Sequence, residues 1–210
     1  MINITGIRDT KKMFTRKKIL DVSKAIFEEN GYKKARASEI AKLANIGEGT
    51  LFNYFKSKSE LFIATFFESF DASEYKINKT QINSEEQFIE VIISIIDYYV
   101  NNIKQIDKQL LREYFSIIYD INSESTIARQ NLISADMVIK NNLNVLFNTL
   151  LESEINKEAI DFETAIECIY ACSINALNEF VYDDEITYDL MLATLRKQIK
   201  FIINGNIFFK

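Results

Sequence analysis

The chain has 210 residues, no proline, five glycines, no histidine and a formal net charge of −5. That length accommodates one large or two modest domains with a buried core, and the scarcity of helix breakers favours an all-α fold. Lacking histidine, the chain lacks the commonest general base and the commonest metal ligand, so neither an enzyme nor a metal or cofactor centre is expected. Cys168 and Cys172 stand one helical turn apart, but two thiols do not complete a zinc site, and small packing residues are the simpler reading. The first fourteen residues, MINITGIRDTKKMF, contain no apolar core of a secretory signal. The longest apolar stretch, residues 88–100, is interrupted by Glu90, Ser94 and Asp97. It falls short of the roughly 20 residues that span a bilayer. A cytoplasmic location is the expectation.

The overall acidity hides a division. Residues 1–58 hold 13 Lys+Arg against 6 Asp+Glu, a net of +7, whereas residues 59–210 hold 12 against 24, a net of −12. A basic head on an acidic body orients the head toward phosphate and keeps the body away from it.

In chain order, the first helix is predicted over residues 15–30. Ile19, Val22, Ile26 and Phe27 lie on one face, and Gly31 is its stop. Residues 36–58, RASEIAKLANIGEGTLFNYFKSK, then read as two short helices meeting at a tight turn. Ile40, Ala41 and Ala44 share a face of the first of these, and the small Ala41 allows another helix to cross closely. Asn45 occupies the reversal, where a left-handed backbone is needed. Leu51 and Phe55 anchor the second helix onto the first. Together these residues form a helix-turn-helix. A fourth helix opens at Ser57, which has capping-box spacing with Glu60. It runs through Leu61, Phe62, Phe66 and Phe67 toward Tyr75. After a polar break at residues 76–83, Ser84 and Gln87 open a strongly apolar helix reaching about residue 103. Helical patterns follow over residues 105–120, 124–154, 161–182 and 186–204, with no internal repeat.

The segment GYKKARASEIAKLANIGEGTLFNYFKSKSEL resembles the N-terminal DNA-binding domain of the tetracycline-repressor (TetR) family, over roughly residues 14–62 and most sharply over residues 49–58. The family usually has Ser or Thr near Arg36, Gly at Asn45, Ser at Gly47, and a basic residue or Pro at Glu48. The resemblance implies a three-helix DNA-binding domain, residues 1–58, followed by a larger helical ligand-binding and dimerisation domain, residues 59–210. It also implies a regulator, most often a repressor, that binds a palindromic operator as a homodimer and is released by a hydrophobic small molecule.

The second helix of such a motif enters the major groove with its early residues against base edges. That places Gly47, Glu48, Gly49, Thr50 and Asn53 against the bases or the near backbone, and Arg36 is a further DNA-binding candidate. Thr50 offers a methyl or a hydroxyl, and Asn53 has the amide geometry that pairs with adenine. The resemblance gives phosphate contacts to Tyr54 and Lys58, with Lys56, Lys17 and Lys18 as further cations nearby. For a ligand pocket the candidates are the aromatics Phe66, Phe70, Tyr98, Tyr99, Tyr114, Phe115, Phe147 and Tyr170, although most of them read as ordinary core before cavity wall. Asp97, Glu113 and Glu167 are polar groups on apolar stretches and would suit a cationic ligand if buried. The dimer interface is expected on the last two helices, through Ala165, Cys172, Ala176, Leu192, Leu195 and Ile199. The competing reading is a helical small-molecule-binding or scaffolding dimer whose head no longer reads DNA.

Overall fold

The computed structural model describes residues 4–67, 82, 84–120, 126–152 and 161–206. Among these the chain is helical throughout, with no strand. By packing it divides into two units, Met1–Phe70 with Ile106–Gln130, and Asp71–Gln105 with Asn131–Lys210. The domain boundary expected after residue 58 therefore falls inside the first unit.

The first unit contains α1 (Ile4–Lys34), α2 (Ala37–Leu43), α3 (Glu48–Tyr54), α4 (Lys58–Phe67) and α6 (Lys108–Tyr119). Helix α1 begins eleven residues earlier than its apolar spacing suggests, since residues 9–14 are all exposed and offer no apolar stripe to read. Gly31 ends the regular helix as expected: its φ of 71° and ψ of 168° are not helical, so the chain kinks there before one further turn to Lys34. The core of this unit is an aromatic column. Phe62 lies edge-on to Phe27 at 5.0 Å and meets Phe66 at 5.3 Å, while Tyr114 of α6 stacks on Phe67 at 3.6 Å. Such pairs contribute beyond the area they bury. Burial raises the Tyr114 phenol to about 12.

The second unit is built from α5 (Glu85–Val100), α8 (Phe162–Tyr182), α9 (Tyr188–Asn206) and most of α7 (Thr126–Glu152). Ser84 caps α5 by accepting from the Gln87 N–H, and Asp161 caps α8 by accepting from the N–H and hydroxyl of Thr164. A short 3-10 turn, Asn101–Gln105, ends α5 where the sequence pattern continues an α-helix. Phe147 sits edge-on to Phe88 and Phe162 in the core. Around it, polar side chains tie helix to helix. The Tyr188 hydroxyl donates to Asp97 at 2.8 Å, Lys140 grips Glu167, and Arg196 pairs with Glu90. The helix expected to reach residue 75 leaves the described residues after Phe67, and candidate Phe70 lies outside them.

Candidate nucleic-acid interface

The turn between α2 and α3 forms as its residue types require. Ile40, Ala41, Ala44, Leu51 and Phe55 are all buried. Asn45 is left-handed at φ 58°, and the chain closes on α2 through Ile46 N–H to the Ala41 carbonyl at 3.0 Å. Asn accepts this region at lower cost than other side-chain-bearing residues. Arg36 and Gly47 begin α2 and α3 with extended backbone and no side-chain cap. These are the two positions where the family more often places Ser or Thr.

Leu51 is the buried residue of α3, so the rest of the helix faces outward. Glu48, Gly49, Thr50, Phe52 and Asn53 are exposed, as are Arg36, Gly47 and Lys56, and Tyr54 is half-buried. Gly49 is instructive. A Cβ built there meets nothing within 4 Å, although glycine in a helix costs about 0.5–1 kcal/mol relative to alanine. Packing within the chain therefore does not call for glycine at this position.

The flank of α3 is held by three contacts. The guanidinium of Arg16 lies 5.0 Å above the Phe55 ring. Ser57 Oγ accepts the Glu60 N–H at 3.1 Å, and the Glu60 carboxylate accepts the Lys56 N–H at 2.7 Å. This is the expected reciprocal cap, with its return bond displaced one residue toward the N-terminus.

Lys58, expected on a phosphate, is engaged within the chain in this geometry. Its ammonium donates to the carbonyls of Tyr32 at 2.7 Å, Ala35 at 3.1 Å and Lys33 at 3.3 Å, and lies 4.4 Å from the Tyr32 ring centre. An ammonium has three donors, and all three are used. Lys58 thus closes the C-terminal end of α1, where a cation is favoured by the helix dipole. On the other side of the same kink, Glu113 of α6 accepts the Tyr32 N–H at 2.6 Å. A side chain at Gly31 would meet this carboxylate at 3.4 Å. Partial burial lowers the Lys58 pKa and Glu113 opposes that shift, while burial raises the Tyr32 phenol. The joint between Lys58, Glu113 and the α1 kink left no signal in local spacing, because its partners are 26 and 81 residues apart.

The remaining sequence candidates separate. Phe66, Tyr114 and Phe115 belong to the first unit, and Tyr98, Tyr99, Phe147 and Tyr170 to the second. Phe115, Tyr99 and Phe147 are buried core, and Tyr170 lies beneath the Lys140 ammonium at 4.5 Å. The three acidic groups proposed for a cationic ligand have internal partners instead: Asp97 with Tyr188, Glu113 with Tyr32, Glu167 with Lys140. On the last two helices, Ala165, Ala176, Leu195 and Ile199 are buried within the protomer, where α8 packs on α9. They therefore do not face outward as an interface would. Cys172 and Leu192 remain half-exposed, and Cys168, Ala171, Leu190 and Phe201 are exposed. Burial raises the Cys172 thiol pKa, with Cys168 adding to the shift. Among the described residues no group of three or more Cys, Asp or Glu could hold a metal ion, and no helix is long and apolar enough to cross a membrane.

A short exposed helix held over a buried small-residue crossing, with a basic flank, defines a helix-turn-helix DNA-binding module. Residues 19–65 match the family model described as bacterial regulatory proteins, tetR family. This stretch of the chain is similar to the DNA-binding part of that family of regulators. It is 24% identical over 199 residues to a fatty acid metabolism regulator protein of Bacillus subtilis, covering 89% of this chain and 93% of that one. It is 27% identical over 193 residues to the transcriptional regulator QacR of Staphylococcus aureus, covering 90% and 96%. Its fold is similar to that of the B. subtilis regulator FadR solved in complex with stearoyl-CoA, with a TM-score of 0.56 at 21% identity, covering 90% and 97%.

Proposed function

We propose that the protein is a homodimeric repressor that binds a palindromic operator through α3 and leaves it when a hydrophobic small molecule binds the helical body. The observation carrying this reading is the outward face of α3. Gly49 has no packing reason to be glycine, and Thr50 and Asn53 stand exposed beside it. A missing Cβ allows the backbone close to a groove wall, and Thr50 and Asn53 supply the base-edge chemistry. Arg36, Gly47, Tyr54 and Lys56 border this face and set register on the phosphates.

The dimer uses the outer faces of α8 and α9. Cys172 and Leu192 supply half-exposed surface, and Cys168, Ala171, Leu190 and Phe201 extend it. An exposed aromatic such as Phe201, at 83% accessibility, gains from burial against a second copy. The effector is of the hydrophobic class, supported by the acyl-CoA held by the structurally similar FadR. Release runs through the α1 kink. Glu113 and Lys58 hold its N–H and carbonyl groups from two different helices, so a shift of α6 changes how the head is held. An effector acts only through its difference in affinity for the two arrangements.

Selection of bound duplexes from a random pool tests the reading, followed by titration of the recovered site at two salt concentrations with and without stearoyl-CoA. The expected result is a two-fold-symmetric site, affinity falling steeply with salt, and weaker binding with the acyl-CoA. Absence of duplex binding at low salt would leave only a ligand-binding or scaffolding protein with an inert head.

A further inference from the structure

The head's positive charge is concentrated before the helix-turn-helix. Residues 1–18 hold six Lys+Arg and one Asp, so they supply +5 of the +7 carried by residues 1–58. They lie largely in the early turns of α1, where no side chain from residue 9 to residue 18 is buried. The buried face of α1 is set later, by Ile19, Ser23, Ile26 and Phe27. Projected back along the helix, that face leaves Lys11, Phe14 and Lys18 together on its flank at spacing i, i+3, i+7, with Lys17 beside Phe14. All three lysines are exposed, and Phe14 and Met13 are 71% and 72% accessible. Large apolar side chains this open, ringed by cations, mark a surface made for a partner.

We infer that residues 11–18 of α1 form a second DNA contact, lying along the phosphate backbone just outside the half-site read by α3. This rests on the DNA-binding reading above. Two features select duplex DNA as the occupant. Charge complementarity is the first. The second is continuity with the recognition face: Arg16, inside this segment, lies on the Phe55 ring that terminates α3. The segment is therefore anchored beside the groove-entering helix. From Lys11 to Lys18 the axis advances about 10 Å at 1.5 Å per residue. That matches about three phosphates of one strand at 3.4 Å each. Met13 and Phe14 supply apolar surface to the sugar edges between them.

The full chain is compared with a triple variant, Lys11→Gln, Lys17→Gln and Lys18→Gln, on the selected operator with ten flanking base pairs and on the same duplex trimmed to its half-sites. On the flanked duplex the variant's log–log salt slope is expected to be shallower by about 2–3, at roughly 0.9 for each phosphate no longer neutralised. On the trimmed duplex the two proteins should bind alike. The triple Lys→Arg variant is expected to restore flanked binding, and an unchanged melting temperature keeps the comparison free of folding effects. Equal slopes on the flanked duplex would overturn the inference and leave α3 recognition standing. So would loss of binding to phosphatidylserine vesicles alone, since a cationic helix with open apolar side chains also suits an anionic lipid surface. Failure of the unaltered protein to bind either duplex at low salt would sink both readings.

Discussion

The two units of this molecule differ in the polar contacts that join one helix to another. In the body, side chain meets side chain across long amphipathic helices: Tyr188 with Asp97, Lys140 with Glu167, Arg196 with Glu90. In the head, the side chains that join helices bond to backbone. Lys58 collects three carbonyls at the end of α1, Glu113 takes the Tyr32 N–H, and Glu60 and Ser57 close the entry to α4. Short helices expose many unpaired backbone groups per residue, so a module made of them needs side-chain partners at its joints. Long helices have fewer such ends, and their polar groups are free to fix helix-to-helix register. The head is consequently specified by its joints and the body by its faces.

That contrast can be broken at several points. Lys58→Ala is expected to have the largest effect, lowering stability by about 2 kcal/mol after allowing for solvent screening. If the residue is a clamp, thermal melting and operator affinity fall together and the salt slope stays put. A slope shallower by about one unit with unchanged melting would return Lys58 to the phosphates. Glu113→Ala removes the acceptor of a backbone N–H and should cost roughly 1.5 kcal/mol. Measured by operator titration, it should also reduce the response to an effector, whereas equal responses in both proteins would remove α6 from the route.

Tyr188→Phe probes the body. It should cost about 1 kcal/mol through removal of the bond to Asp97, read by denaturant midpoint, with operator affinity at saturating dimer unchanged. Ser23→Ala works in the other direction. This hydroxyl is fully buried with no hydrogen-bond partner among the described residues, so its removal should stabilise the head by roughly 0.5–1 kcal/mol. A lower melting temperature would mean that Ser23 has a partner in solution. The smallest change is expected at the turn: Asn45→Gly should gain a few tenths of a kcal/mol by relieving the positive φ. Asn45→Val should lose more than that gain, and matched stabilities for the two would show the turn to be insensitive to φ.

The same contrast explains what the sequence disclosed. Ala41, Asn45, Leu51 and Phe55 announce the helix-turn-helix because each answers a local demand, and all four stand in the structure where that demand places them. Helix limits in the body were nearly as legible, with α8 and α9 within two residues of their patterns. The start of α1 was not, since residues 9–14 are exposed and give no buried stripe to read. Apolar faces announce burial without naming the partner. Ala176 and Leu195 look alike whether they meet a second subunit or their own chain, and here they are buried within the protomer. The aromatics of the supposed pocket carry the same ambiguity. Lys58 shows a different limit: the resemblance suggests phosphate, but its donors are decided by where Tyr32 and Ala35 arrive in space.

The reach of Glu113 and Tyr114 back to Tyr32 and Phe67 has a consequence for biosynthesis. A nascent chain extruded only through α4 has Tyr32 without its carboxylate and Phe67 without its stacking ring. The amino-terminal module therefore matures only after Tyr119 clears the ribosome, although every residue of its reading helix was translated long before.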